Sequence, residues 1–415
     1  MEHLYDVAVI GGGAAGLAAA IACARQRNKT DIVIIEKEAR VAKKLLATGN
    51  GRCNFTNTEN NAQCYHGKDP SFQAAANRRF SPWANIAFFR SLGIMAKTEE
   101  NGKVYPLSLQ AAAVVDLLRA ESRRLGIAVL TETTVKRITR REEAFFLETA
   151  DKPVYAKKVI VAAGGLAAPE LGGSPWGYDL LTSLGHSLIP LAPSLVKIKT
   201  DRRIPNALKG IKVEGALTLK KATAVAGYAA GEILFTDYGL SGPPVLHLSR
   251  LLCYENPGDF SLEIDFLPCF EEEELFSLLK ERREVLTAQT LEYYLTGLVQ
   301  KKVGQLLLKE ALHCKVSRGV ESLDDHELKK ICRFLKAFPL AVTGTLGWKQ
   351  AQVTAGGIDV ADFCAGTMES KLLPGLYAAG EVLDIDGDCG GYNLQWAISS
   401  GRLAGESIAA ALTEV

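Results

Sequence analysis

This sequence lacks an excess of either charge. Its 48 lysines and arginines face 47 acids, for a net charge of +1. Such a balance removes the bulk attraction to nucleic acid or anionic membrane that a basic protein carries, so neither is expected as a partner. Metal-binding spacings are missing too. The nine cysteines are scattered with no C-x-x-C pair, which leaves neither a zinc site nor a disulfide scaffold indicated. No metal is expected, and free thiols fit a reducing, cytoplasmic compartment. Long apolar runs are absent with one exception. Residues 7–24 carry no charge and match a membrane span or signal core in length. Asp6 before the run, glycines within it, and Arg25, Arg27 and Lys29 after it argue against both.

That run has another reading. Val7 to Ile10 is a short apolar strand, Gly11, Gly13 and Gly16 form a G-x-G-x-x-G turn, and Ala14 to Ala24 are small residues suited to a helix lying close on a sheet. A second apolar strand, Ile32 to Ile35, ends at Glu36 and Lys37. Strand, glycine turn, small-residue helix, strand and terminal acid are together the dinucleotide-binding pattern in its required context. Gly11 permits the tight turn, Gly13 lets the backbone approach a pyrophosphate, and Gly16 lets helix and strand pack closely. The helix start, at Ala14 and Ala15, offers N–H groups to the phosphates. Glu36 can accept hydrogen bonds from ribose hydroxyls.

The next stretch, 40–57, holds glycines, basic residues and small polar residues, including Lys44, Gly49, Gly51, Arg52, Cys53 and Asn54. It reads either as a solvent loop or as backbone lying along a cofactor; its place after the ribose-binding acid favours the cofactor. Residues 71–92 are expected to be helical, with Ser81 a candidate N-cap, Pro82 in the first turn and Gly93 as the stop. Asn101-Gly102 predicts a hairpin turn. Short strands are expected at 127–130, 133–139 and 144–149, and another at 158–163 ends in Ala163, Gly164 and Gly165, where more backbone can come close to the same ligand.

From about Pro190 the texture changes to short β-like runs with turns, a small antiparallel β region. Residues 271–337 are charged and carry helical spacing, with Ser322 and Asp325 resembling a capping signal. The last part returns to the opening texture. A strand ends at Gly380 and Glu381, and a glycine-rich turn through Gly391, Tyr392, Asn393 and Leu394 enters a helix. The opening turn, the strand ending at Gly165 and the strand ending at Glu381 together resemble two-dinucleotide-binding-domain flavoproteins, and the resemblance implies an α/β fold class: a Rossmann-like domain with an inserted β-barrel-like domain and a small helical domain. The expected divisions are 1–190 with 351–415 for the first, 191–270 with 338–350 for the second, and 271–337 for the third.

Three stretches narrow the identity: KLLATGNGRCN at 44–54, GEILFTDYGLSGP at 231–243 and GEVLDIDGDCGGYNLQW at 380–396. Over essentially the whole chain the sequence resembles the BaiN/YhiN-like (HI0933-like) family of NAD(P)/FAD-dependent flavoprotein oxidoreductases. The resemblance implies noncovalent FAD, with Gly11, Gly13 and Gly16 at the pyrophosphate and Glu36 at the adenosine ribose. It implies that Lys44 and the Gly49–Asn54 loop line the cofactor, and that the backbone at Val135 meets adenine. Gly164 and Gly165 pass near the ADP half, Gly380 and Glu381 near the phosphate–ribityl region, and Gly391–Leu394 near the flavin pyrimidine edge. Ala42 stands where relatives often have Gly, and Asp237 where many have His, which weakens a general acid there. The implied activity is hydride transfer between flavin and a small organic substrate, with NAD(P)H as a transient donor, there being no second G-x-G-x-x-G. An amine oxidase of the aminoacetone type using O2, a tRNA-modifying flavoprotein and a noncatalytic flavin-binding regulator are the alternatives. Arg52, Cys53 and Asn393 are the candidates for catalysis, with Cys53 and Cys389 a conceivable thiol pair. The sequence leaves the oligomeric state open.

Overall fold

The computed structural model describes residues 3–412. The chain packs as two units, one made of residues up to Ser194 and from Trp348 onward, the other of Leu195–Gly347.

The first unit is built on a seven-stranded sheet. Strand β1, Leu4–Ile10, lies between two parallel neighbours: β2, Ile32–Ile35, and the strand Val154–Val161. All of β2 is buried, as a parallel strand covered on both faces requires. Helix α1, Ala14–Gln26, connects β1 to β2, and its residues from Ala15 to Ala24 are buried. The strand Leu376–Ala378, from the far end of the chain, pairs parallel with Val159–Val161. The glycine-bearing ends of β1, Val154–Val161 and Leu376–Ala378 thus point the same way, at the crevice where an open α/β sheet binds ligands.

The closing helix, Tyr392–Ala411, lies along α1. Its approach is set by small residues. A Cβ at Gly401 would sit 2.3 Å from the Ala15 carbonyl oxygen, and one at Gly405 2.2 Å from that of Ala19.

The second unit is a closed barrel of strands Ile198–Thr200, Gly239–Ser241, Ala224–Phe235, Lys212–Lys221, Phe260–Asp265 and Phe338–Thr345. Helices Glu272–Val285, Lys301–Leu312 and Asp325–Lys336 share one apolar core with it, through Leu275, Leu307 and Leu335 on the helices and Ile264, Phe266 and Phe338 on the barrel side. Asp237 is exposed and hydrogen-bonded by Lys209 at 2.7 Å, which holds its carboxyl below the usual range.

Local departures from the sequence reading have physical causes. The helix expected over 71–92 is two, Gln73–Arg79 and Pro82–Ser91. The break comes where Ser81 turns extended and its hydroxyl accepts the Ala84 N–H at 3.3 Å. The strand expected at 133–139 starts only at Arg137 and runs on to Arg141. The Val135 carbonyl instead accepts the Trp176 indole N–H at 2.7 Å. The cap of the last insert helix is Asp324 with Glu327, a reciprocal box, and not Ser322 with Asp325. Ser322 bonds the Gly319 carbonyl and Arg318. Among the described residues no helix is long and apolar enough to cross a membrane.

Candidate cofactor and active site

The site grows from the turn between β1 and α1. Gly11 takes φ +101°, and a Cβ there would lie 2.4 Å from the Ala162 carbonyl oxygen on the neighbouring strand. Gly16 is closed in the same way, its missing Cβ 1.9 Å from the Gly11 carbonyl oxygen. Gly13 differs. It caps α1 in an extended conformation with no side-chain cap, and a Cβ there would meet nothing within 4 Å. Gly164, beyond the end of the adjacent strand, is equally open. Two backbone walls therefore face open space, one of them the N-terminus of a 13-residue helix. First-turn N–H groups have no partner within their helix, so this is a place for a phosphate.

Glu36 ends β2 with its side chain 8% exposed. Its two carboxylate oxygens accept the backbone N–H groups of Gly12 at 2.8 Å and Glu38 at 2.9 Å. That fixes a carboxylate at the mouth of the glycine turn with lone pairs left for hydroxyl donors. Lys37 is half-buried and burial lowers its pKa. Ala14 and Ala163 are half-exposed small residues on the two walls.

A second group of residues comes from distant parts of the chain. Lys44 reaches Glu381 at 2.9 and 3.2 Å, and the Thr354 N–H also donates to Glu381 at 2.9 Å. Gly165 packs against Thr354 and Glu381 with no room for a Cβ. Gly380, at φ +77°, donates its N–H to Ser400 at 3.0 Å and accepts the Trp396 indole N–H at 3.1 Å. Its strand end is thereby tied to the closing helix.

The 49–54 loop is a chain of left-handed residues: Gly49, Asn50, Gly51 and Cys53 all have positive φ. Asn54 accepts the Val104 N–H at 3.2 Å, and Gly51 accepts the Ala111 N–H at 2.7 Å. Arg52 stacks 4.5 Å over Tyr105 and pairs with Glu99 at 3.6 Å. Ala42 is also left-handed, at φ +61°. An alanine in that conformation carries a backbone cost on the order of 1 kcal/mol.

At the other end, Gly391 (φ +104°) caps the closing helix, and a Cβ there would lie 2.4 Å from the Thr56 carbonyl oxygen. Tyr392 and Leu394 begin the helix, Tyr392 buried and Leu394 packed on the core. The Asn393 amide is taken up by the turn before it: its Oδ1 accepts the Gly387 N–H at 2.8 Å and its Nδ2 donates to the Gly387 carbonyl at 2.7 Å. Asp386 and Gly387 pair with His66 and Tyr65, and His66 Nε2 lies 2.8 Å from Asp388.

Cys53 is fully buried, and burial pushes its thiol from 9.0 up to about 12. Cys389 is half-buried with its thiol also raised by burial. Thiols held protonated are poor nucleophiles. Iodoacetamide at neutral pH is expected to leave Cys53 unmodified in the native chain and to alkylate it in urea, read by peptide mass spectrometry. The raised thiol contributes stability fully present below the ordinary value of 9.0 and lost as pH rises from there towards about 12.

Several residues at this site carried no signal in the sequence. Thr56 and Asn57 follow the 44–54 stretch, and Gln395 lies in the 380–396 one, but their pairing does not. The Thr56 hydroxyl donates to Gln395 at 2.6 Å, and Asn57 Nδ2 donates to the Gly390 carbonyl at 3.0 Å. Thr354 and Ser400 likewise emerge only from the fold.

The arrangement fits a dinucleotide cofactor: an open glycine cradle at a helix N-terminus, a fixed carboxylate one strand away, and further backbone converging from two other strand ends. The family described as HI0933-like protein Rossmann domain matches residues 5–407. The chain is 36% identical over 406 residues to a 3-dehydro-bile acid delta(4,6)-reductase of Clostridium scindens, spanning 97% of this chain and 98% of that protein. It is 32% identical over 418 residues to a ribosomal RNA dihydrouridine synthase of Haemophilus influenzae, spanning 98% and 99%. The synthase of the same name from Escherichia coli is 31% identical over 410 residues, spanning 98% of each. Among solved structures, the fold is similar to the 3-ketosteroid-delta4-(5alpha)-dehydrogenase of Rhodococcus jostii RHA1, with a TM-score of 0.50 at 16% identity, spanning 98% of this chain and 97% of that one.

Proposed function

Because this chain belongs to the HI0933-like Rossmann-domain family and is a flavoprotein oxidoreductase, we propose that it is an FAD-dependent reductase. Its reaction adds hydrogen across a carbon–carbon double bond conjugated to a carbonyl in a small organic substrate, with NAD(P)H as donor. The observation that carries the cofactor is the open face of Gly13 at the start of α1. The reaction class is supported by the full-length relatives. A delta(4,6)-reductase of a 3-dehydro-bile acid and a dihydrouridine synthase both hydrogenate a ring double bond activated by a carbonyl.

FAD, when bound, supplies the hydride. The chain supplies position and charge. The first-turn N–H groups of α1, with Gly11 and Gly13, would hold the pyrophosphate, and Glu36 the adenosine ribose. The Val135 backbone would meet adenine, with its carbonyl oriented by Trp176. Gly164, Gly165, Gly380, Glu381 and Lys44 would line the middle of the cofactor. The 49–54 loop and Gly391–Leu394 would flank the ring, where N–H groups at the start of the closing helix favour negative charge by about 1 kcal/mol. Asn393, Cys53 and Arg52 act here through the loops they fix.

The test is anaerobic. NADH or NADPH is expected to bleach the bound flavin, and an enone to restore its colour while gaining two hydrogens by mass spectrometry. Bleaching by aminoacetone instead, with recovery only in oxygen, overturns this in favour of an amine oxidase.

A second reading rests on the two relatives named as ribosomal RNA dihydrouridine synthases. The C5–C6 bond of uridine is conjugated to a carbonyl, so the same chemistry extends to a base in RNA. Formation of dihydrouridine in ribosomal RNA incubated with the enzyme and NADPH, with enones untouched, selects it.

A further inference from the structure

The longest of the polar side chains buried in the closing helix, Gln395, is fully hydrogen-bonded. Gln395 Oε1 accepts the Thr56 hydroxyl at 2.6 Å and Asn85 Nδ2 at 2.8 Å. Its Nε2 donates to the Phe80 carbonyl at 2.7 Å and to Ser399 at 3.0 Å. Asn85 is itself fully buried, and its Oδ1 accepts Arg402 Nη1 at 2.9 Å. Arg402 is held between Phe80 and Phe88, at 4.0 and 4.9 Å from the ring centres. The donors run in one direction, from a guanidinium through Asn85 to Gln395, and Thr56 donates to the same oxygen. A buried network in which every member is satisfied specifies one arrangement, because each lost partner leaves a costly orphan.

The two ends of this network are segments of the site. Thr56 lies two residues past Asn54, and its carbonyl is the surface against which Gly391 turns. Gln395 is in the first turn of the closing helix, its N–H bonded to the Gly391 carbonyl at 2.9 Å. Asn57, also buried, adds a second link to Gly390. An apolar pair would pack the helix equally well. It would not fix the position of the helix start along the loop.

We infer that Gln395 is a positioning residue: through Thr56 it sets where the N-terminus of the closing helix stands relative to the 49–54 loop, and so sets the reduction potential of the flavin those segments contact. This rests on the reading of those segments as the flanks of the flavin ring. Negative charge on the reduced ring is favoured by the helix N-terminus, and that interaction falls off steeply with displacement.

The test uses full-length holoprotein and three variants: Thr56→Val, which removes one hydroxyl at constant shape, Thr56→Ser, which keeps it, and Gln395→Met. The readouts are sulfite binding to the oxidised flavin and the midpoint potential from anaerobic dye equilibration. Sulfite adds reversibly to the flavin ring and binds more tightly as the potential rises. Thr56→Val is expected to weaken sulfite binding by about threefold and to move the midpoint to a more negative value, while Thr56→Ser keeps both at the wild-type values. If Gln395→Met does not fold, Thr56→Val decides the matter alone. Variants that lose thermal stability yet bind sulfite with wild-type affinity overturn the inference and leave the reductase reading intact. A wild-type protein that takes up no flavin overturns both.

Discussion

Gly13→Ala is expected to leave the chain as stable as wild type, within about 1 kcal/mol, and to weaken FAD binding by at least about a hundredfold, or ~2.7 kcal/mol. The two effects separate because of what surrounds this glycine. Its backbone is extended, a conformation open to alanine, and the added methyl group meets no protein atom within 4 Å. Alanine is a poorer helix cap than glycine, but it also reduces the freedom of the unfolded chain, and the two nearly offset. The methyl would instead stand where the proposed site brings a pyrophosphate against backbone. Fluorescence titration with FAD and thermal unfolding of the flavin-free protein check the two halves. A variant that binds FAD normally would move the phosphates away from Gly13. Gly16 gives the contrast: its missing Cβ points at the Gly11 carbonyl oxygen 1.9 Å away, so alanine there is expected to damage the fold itself.

The second large effect is predicted far from the glycine turn in sequence. Gly401→Val is expected to destabilise the flavin-free protein by about 3 kcal/mol or more, at the upper end for overpacking, lowering the thermal midpoint by roughly 3–5 °C. The new Cβ would lie 2.3 Å from the Ala15 carbonyl oxygen and 3.1 Å from its Cα. These are backbone atoms of a buried helix and cannot rotate aside. Relief requires α1 and the closing helix to separate, and Ala15 is in the first turn of α1, beside the cradle. FAD affinity is therefore expected to fall together with stability, unlike in Gly13→Ala. Gly366→Ala, at an exposed position with nothing within 4 Å, is the control and should change neither. A Gly401→Val protein with an unchanged midpoint would show that the helices are not packed as described.

These two glycines mark how far the sequence could be read. The requirement at Gly11, Gly13 and Gly16 is local: strand, turn and helix follow within about a dozen residues, and the spacing alone states which backbone atoms must come close. Glu36 and the strand ending at Gly164 are legible for the same reason. Gly401 looks like any glycine in a helix, because the atom that excludes a side chain there belongs to Ala15. The pairs Lys44–Glu381 and Thr56–Gln395 are equally silent, each joining segments more than 300 residues apart. The catalytic candidates show a further limit. Cys53, Arg52 and Asn393 have reactive or polar side chains in site-forming stretches, so residue type and position recommended them. Burial of the Cys53 thiol, stacking of Arg52 on Tyr105 and the Asn393–Gly387 bonds give those side chains structural contacts. Residue type is written in the sequence; solvation and partners are set by packing.

The cover that the closing helix gives α1 has a consequence for the order of events at the ribosome. The glycine turn and α1 emerge early, but Gly401 and Gly405 seat on Ala15 and Ala19 only after the intervening barrel and its helices have been made. At about 5–20 residues per second, α1 waits on the order of tens of seconds with its small-residue face open. Until then the strand ending at Gly380 is also missing from the sheet. On the proposed site, the nascent chain carries the cofactor's signature long before the residues that would hold the cofactor are all made, and flavin loading is expected to follow synthesis of the closing helix.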